Sequence, residues 1–273
     1  LELTVLTLAT LVTFLLFFMQ QVALYVSGVL IALYLFYLWV SSRAKVGKPE
    51  LMGPSAIIGN LARGRKIFVI AFLFVYAAAV IFLAADPFVE GLVHTGRKLG
   101  IDDFILIQWL APLASESPEL VIALLFTLRG QVTTAMTGPI SSEVNQLTLL
   151  IGSMPVIFSI SFGHPSAFPL DTQQSVEFLL TSAMSLFAVV LLARLRIPWY
   201  GALFLLAIFV THLFFTGTEE RRIFAFIFLG LAAVLFAVDR GRAVEIYRRA
   251  VDVFRLGNRG KEAGPASVHR GGD

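Results

Sequence analysis

The sequence predicts an all-α, polytopic transmembrane bundle of about eight spans, with interrupted helices near its middle. Three observations lead there. The 273 residues are 58% hydrophobic and only 14% charged, with a mean hydropathy of +0.84, where soluble domains carry about 25% charged residues. Apolar runs of about 18–25 residues recur along the chain, long enough to cross a hydrocarbon core as helices. Lysine and arginine then collect in alternate connections between those runs.

The spans, in order, are 3–19, 22–41, 67–85, 104–128, 133–160, 176–193, 198–216 and 223–238. Arg194, Arg196 and Pro198 divide the sixth from the seventh. The eighth is short for a bilayer that asks for about 20 apolar residues. If 42–66 faces the cytoplasm, that side also receives Arg129, Arg194, Arg196 and the tail from 239, and so holds 17 of the 21 basic residues. Only Arg97, Lys98, Arg221 and Arg222 fall in the opposite connections, 86–103, 161–175 and 217–222. Removing one span would move the basic tail to the wrong side. The expectation is an integral, multi-pass protein of a prokaryotic plasma membrane with a cytoplasmic C-terminus. Its net charge of +3 reflects those cytoplasmic loops, and its partner is the lipid bilayer rather than nucleic acid.

The opening "LELTVLTLAT" has neither Met nor a basic leader region, so it reads as a chain cut within or just before a membrane segment. The tail begins as a basic amphipathic pattern. Val244, Ile246, Tyr247, Val251 and Phe254 can meet lipid headgroups while Arg248, Arg249 and Arg255 meet phosphate. Beyond Leu256 its composition is that of a disordered segment. A fully loose tail is the alternative.

Three of the 18 acids lie well inside spans: Glu116, Glu119 and Glu143. A mid-membrane carboxylate costs on the order of 2.5–3.5 kcal/mol on insertion scales, so it usually meets a cavity, a partner or an ion. Glu116 and Glu119 are three apart and share a helix face, with Gln108, Ser115 and Ser117 nearby. Pro118 lacks an N–H and crowds the carbonyl of Ala114, which predicts a helix break around Ala114–Ser117. The following span repeats the design: a break signal at Gly138 and Pro139, then Ser141, Ser142, Glu143, Asn145, Gln146 and Thr148. Oxygen-rich sites suit hard cations such as Ca²⁺ and Na⁺, and paired, interrupted, polar helices point to a midplane ion site in a secondary transporter. The blander reading of Asn145 and Thr148 is a hydrogen bond to a neighbouring helix, and the same holds for His212, with a proton relay second. Asp86, just before Pro87, reads as interfacial where the third span ends.

Enzyme motifs are absent. There is no H-E-x-x-H, no G-x-S-x-G, no phosphate-binding Walker loop and no well-buried aspartate pair. Without cysteine there is no disulfide or thiolate chemistry. The chain reads as a membrane transporter without a cofactor, its substrates being transported cations.

"ASESPEL" at 114–120 and "SSEVNQ" at 141–146 resemble the two motifs of the sodium/calcium exchanger superfamily, one like G-T-S-L-P-E-L and the other like G-S-N-x-x-N or G-S-N-x-x-D. The resemblance covers about residues 1–216. It implies two inverted repeats, with 1–41 the end of the first, 42–66 a basic loop, 67–216 the second repeat, 217–238 an added helix and 239–273 the tail. It implies that Glu119 is the ion-binding glutamate, Pro118 the helix-breaking proline, Ser115 the motif hydroxyl, Ser142 the serine of the second motif and Gln146 its closing carbonyl. Ala114 stands for a glycine, Glu116 for a serine and Glu143 for an asparagine. The extra carboxylates fit either tighter divalent binding or proton-coupled exchange.

The function implied is a cation antiporter that moves Ca²⁺ or another cation against Na⁺ or H⁺ by alternating access, with Glu119, Ser115, Glu116, Ser142, Glu143 and Gln146 as half of the oxygen site. The first-repeat half is expected from the same full-length chain or from a second subunit. A non-transporting membrane scaffold or assembly subunit that kept the fold is the alternative, and an ion channel a third.

Overall fold

A computed structural model describes residues 1–43, 54–100, 111–193, 199–215 and 217–238. It is helical almost throughout. The elements are α1 (Glu2–Met19), β1 (Gln21–Val22), α2 (Leu24–Arg43), α3 (Pro54–Gly59), α4 (Arg63–Lys98), α5 (Ala111–Leu128), α6 (Val132–Asn145), a π-helical turn (Gln146–Leu150), α7 (Ile151–Phe162), β2 (Phe168–Pro169), α8 (Thr172–Ala193), α9 (Trp199–Leu213) and α10 (Thr218–Val238). Among the described residues six helical segments are long and apolar enough to cross a membrane: α1, α2, α4, the run Val132–Phe162, α8 and α10. The stretch Gly201–His212 of α9 is a shorter apolar helix, and α5 has 18 residues. Every predicted span thus coincides with a helix over most of its described length; residues 104–110, 198 and 216 of those spans, and the tail from 239, lie outside the described residues.

One boundary differs clearly. The third span does not end at Asp86–Pro87 but continues as α4 to Lys98, 36 residues in all, or about 54 Å at 1.5 Å per residue. Proline removes one backbone bond, and the residues on either side can keep the helical ladder. Asp86 therefore lies within a helix. The basic residues Arg63, Arg65, Lys66, Arg97 and Lys98 mark the two ends of α4.

The chain divides into two compact units: α1, α2 and α6 to α10 form one, and α3 to α5 form the other. In the first unit α1 packs on α6 and α8, and α8 packs on α10. Ala9, Ala183, Ala225 and Ala232 are buried at these contacts with Val5, Leu6, Leu16, Leu179 and Phe228. In lipid, where apolar tails already solvate leucine, close approach through small side chains and hydrogen bonds between helices supplies the association energy. Thr13 Oγ1 and Ser182 Oγ lie 3.1 Å apart between α1 and α8. The Ser27 hydroxyl donates to the Gly152 carbonyl, and a Cβ at Gly152 would sit 3.0 Å from Ile31 Cγ1 and 3.3 Å from Leu30 Cβ. The α2–α7 contact therefore depends on a missing side chain.

Two devices fix the ends of this unit. Gln21 and Val22 pair antiparallel with Pro169 and Phe168, and Leu170 N–H donates to the Gln20 carbonyl. The α1–α2 and α7–α8 turns thus share one end of the unit, as an alternating chain requires. Asp171 and Gln174 then cap α8 reciprocally: Gln174 N–H donates to Asp171 Oδ1 at 2.7 Å and Asp171 N–H to Gln174 Oε1 at 3.0 Å, a capping box built on an aspartate.

Candidate cation-binding carboxylates on α5 and α6

In the second unit, α5 carries the "ASESPEL" stretch. The helix runs through Pro118 from Ala111 to Leu128, so the predicted break at Ala114–Ser117 is corrected to a continuous helix. Pro118 still has no N–H for the Ala114 carbonyl, and one missing bond is tolerated within a helix where neighbouring groups can receive the freed carbonyl. Ser115 lies four residues before Glu119 on α5. Glu116 and Glu119 are both half-buried. Glu119 Oε2 is inaccessible to solvent and has no hydrogen-bond partner among the described residues. Buried polar atoms nearly always have a partner, so an orphaned carboxylate oxygen calls for one. A cation supplies it directly, since Ca²⁺ and Na⁺ take carboxylate oxygens as ligands.

In the first unit, α6 also continues through its sequence break signal, Gly138–Pro139. The ladder changes further on, at the π turn Gln146–Leu150, where Ile151 N–H donates to the Gln146 carbonyl five residues back. The Thr148 hydroxyl donates to the Val144 carbonyl one turn earlier. Single π turns inside helices are frequent at functional sites, and this one begins on the last residue of "SSEVNQ".

The polar residues of α6 separate by face. Tyr37 Oη of α2 lies 3.1 Å from Ser141 Oγ. Ser185 Oγ of α8 donates to Glu143 Oε1 at 2.5 Å, at the short end of the O–H···O range. Val144 and Leu147 are fully buried in the core around α1. Ser142 and Gln146, four apart, share a half-buried face, and Asn145 is exposed. Among the described residues no group of three or more Asp, Glu, His or Cys side chains gathers as a metal cluster.

Two polar residues expected to bond across helices instead bond within their own. These are Thr148, as above, and His212, whose Nδ1 lies 2.6 Å from the Phe209 carbonyl. The His212 ring is buried among the edges of Phe209, Phe224 and Phe228. Sequence reasoning missed an interhelical ion pair of this unit. Arg221, in the first turn of α10, is 1% exposed and bridges to Glu177 near the start of α8. The available signal was an arginine opening an apolar run, with a glutamate equally placed in another span. Ser185 was also missed, although Ser175, Ser182 and Ser185 recur along α8 at helical spacing and are all buried.

Residues 69–218 match the family model described as sodium/calcium exchanger protein. Among solved structures, the chain is similar to one titled "Crystal Structure of H+/Ca2+ Exchanger CAX", with 39% sequence identity and a TM-score of 0.87. That likeness covers 93% of this chain and 65% of the other. Comparison with curated proteins gave no match. The family match spans more than half of the chain and includes the motif helix α5, the π-interrupted helix after it, and α8 and α9, and it agrees with the motifs at 114–120 and 141–146: this membrane protein belongs to the sodium/calcium exchanger family.

Proposed function

We propose that the protein is a secondary active antiporter that moves Ca²⁺, or a cation of similar hardness, against H⁺ or Na⁺ by alternating access, and that Glu119 is its principal cation ligand. The observation that carries this reading is the buried Oε2 of Glu119 on an apolar helix, without a hydrogen-bond partner among the described residues. Family membership supports transport rather than enzymatic chemistry. Similarity to an H⁺/Ca²⁺ exchanger supports calcium as cargo with a proton as counter-ion. Ser115 and Glu116 in the same unit, and Ser142 and Gln146 in the other, supply oxygens suited to the same ion type. The Ala114 and Ala135 carbonyls, whose usual donors are replaced by Pro118 and Pro139, add acceptors close to the motifs.

The test is ⁴⁵Ca²⁺ uptake into proteoliposomes under an imposed pH or Na⁺ gradient. Wild-type protein shows gradient-dependent uptake and Glu119→Gln shows none. Wild-type uptake that survives Glu119→Gln overturns the assignment of Glu119. Absence of gradient-dependent uptake in wild-type protein favours the non-transporting scaffold.

A further inference from the structure

We infer that Glu143 is held as an interhelical anchor and that Ser185 is a positioning residue for exchange, acting through Glu143. The inference rests on the antiporter reading above. The residues 141, 142 and 143 succeed one another by about 100° around α6. Ser141 is bonded to Tyr37 of α2, and Glu143, about 200° further round, to Ser185 of α8. Val144 is sealed in the core around α1. These three contacts fix the rotation of α6 about its own axis. The face that remains carries Ser142 and, one turn on, Gln146, both half-buried.

The serine is placed for this role. Ser185 is 5% exposed, and Ser182, one turn earlier on α8, is bonded to Thr13 of α1. Helix α8 is therefore pinned to α1 and to α6 through two hydroxyls one turn apart. In an apolar setting a hydroxyl facing a carboxylate has few alternative partners. Glu143 Oε1 is thereby committed to α8, in contrast with the orphaned Oε2 of Glu119. Sequence position alone makes Glu143 look like a cation ligand; its bonding makes it the acceptor that turns Ser142 and Gln146 to their common face.

The experiment compares the apparent KM for Ca²⁺ and kcat of exchange, with ⁴⁵Ca²⁺, in proteoliposomes of the intact protein. Ser185→Ala raises KM about threefold to tenfold with kcat little altered, the scale of an interhelical bond to a carboxylate. Ser185→Thr, which keeps the hydroxyl, returns KM toward wild type. Glu143→Gln, which keeps an oxygen acceptor for Ser185, has a smaller effect than Glu143→Ala. The double variant Ser185→Ala/Glu143→Ala is no worse than Glu143→Ala alone. A KM for Ser185→Ala equal to wild type, a Thr variant no better than Ala, or fully multiplicative effects in the double variant overturns the positioning role. So does a Glu143→Gln defect as large as that of Glu119→Gln, which would make Glu143 a ligand. Thermal unfolding of each variant in detergent separates misfolding from mispositioning: a Ser185→Ala defect that follows lost folded protein, with unchanged KM in the remainder, also overturns the proposal. Failure of the antiporter reading is distinct, because it appears in wild-type protein or in Glu119→Gln and not in the Ser185 series.

Discussion

Glu119 on α5 and Glu143 on α6 are both half-buried carboxylates on apolar helices, and their surroundings differ in one respect. Glu143 has a dedicated donor, the Ser185 hydroxyl at 2.5 Å. Glu119 has a buried oxygen with no hydrogen-bond partner among the described residues. A third carboxylate, Glu177, shows a third solution: it is paired with a buried guanidinium, Arg221. A carboxylate in a membrane protein is thus satisfied by a hydroxyl, by a cation of the chain, or by a cation from outside. Only the last arrangement leaves an acceptor for cargo, and it is the one proposed for Glu119, whose Oε2 has no hydrogen-bond partner among the described residues.

The largest expected effect breaks the comparison at its open end. Glu119→Gln removes the charge from the unpartnered position and lowers gradient-driven ⁴⁵Ca²⁺ exchange by about a hundredfold or more, while the thermal unfolding midpoint stays near that of wild type. Hydrogen bonding and charge at a ligand carboxylate are together worth several kcal/mol, more than enough for that loss.

The next effect is on stability. Glu177→Ala leaves Arg221 as a buried charge without its carboxylate and lowers unfolding stability by about 3 kcal/mol. Adding Arg221→Met removes the stranded charge and restores most of the loss. Reversible unfolding in mixed micelles reads both variants. If Glu177→Ala is as stable as wild type, the pair does not hold α8 to α10.

A smaller change tests packing in the same unit. Gly152→Val places side-chain atoms where a Cβ already meets Ile31 at 3.0 Å and Leu30 at 3.3 Å, and costs about 1–3 kcal/mol by overpacking. Unfolding measurements that show no loss would mean that α2 and α7 do not approach so closely. The smallest effect is at His212, whose polar contact is with its own helix. His212→Phe keeps the aromatic cluster with Phe224 and Phe228 and changes stability by about 1 kcal/mol or less. A large loss of exchange in this variant would revive the proton-relay reading.

These regions were not equally legible in the sequence. The spans could be read because a long apolar run leaves few alternatives to a membrane helix. Their ends were harder. Asp86 and Pro87 looked like a terminus, yet α4 runs on to Lys98, because one proline removes one bond and not the helix. The same overreading placed breaks at Pro118 and at Gly138–Pro139, while the altered ladder begins at Gln146, where no proline or glycine marks it. Glu119 could be singled out because its motif is local in sequence. The partners of Glu143 and Arg221 could not, because Ser185 lies 42 residues from Glu143 and Glu177 lies 44 from Arg221. A serine in an apolar run looks the same whether it bonds its own helix, as Ser175 does with Asp171, or a neighbouring one, as Ser185 does. Only the packing of α8 on its neighbours decides which.

We propose that Glu119, whose Oε2 has no partner among the described residues, binds cargo and that Glu143, bonded to Ser185, does not. The most direct measurement sets Glu119→Gln beside Glu143→Gln in one ⁴⁵Ca²⁺ exchange assay, with KM and kcat resolved for each. The account predicts that Glu119→Gln eliminates measurable exchange, while Glu143→Gln continues to exchange with KM raised by less than about tenfold, since Gln still accepts from Ser185. Equal loss in both variants, or a greater loss in Glu143→Gln, would contradict it.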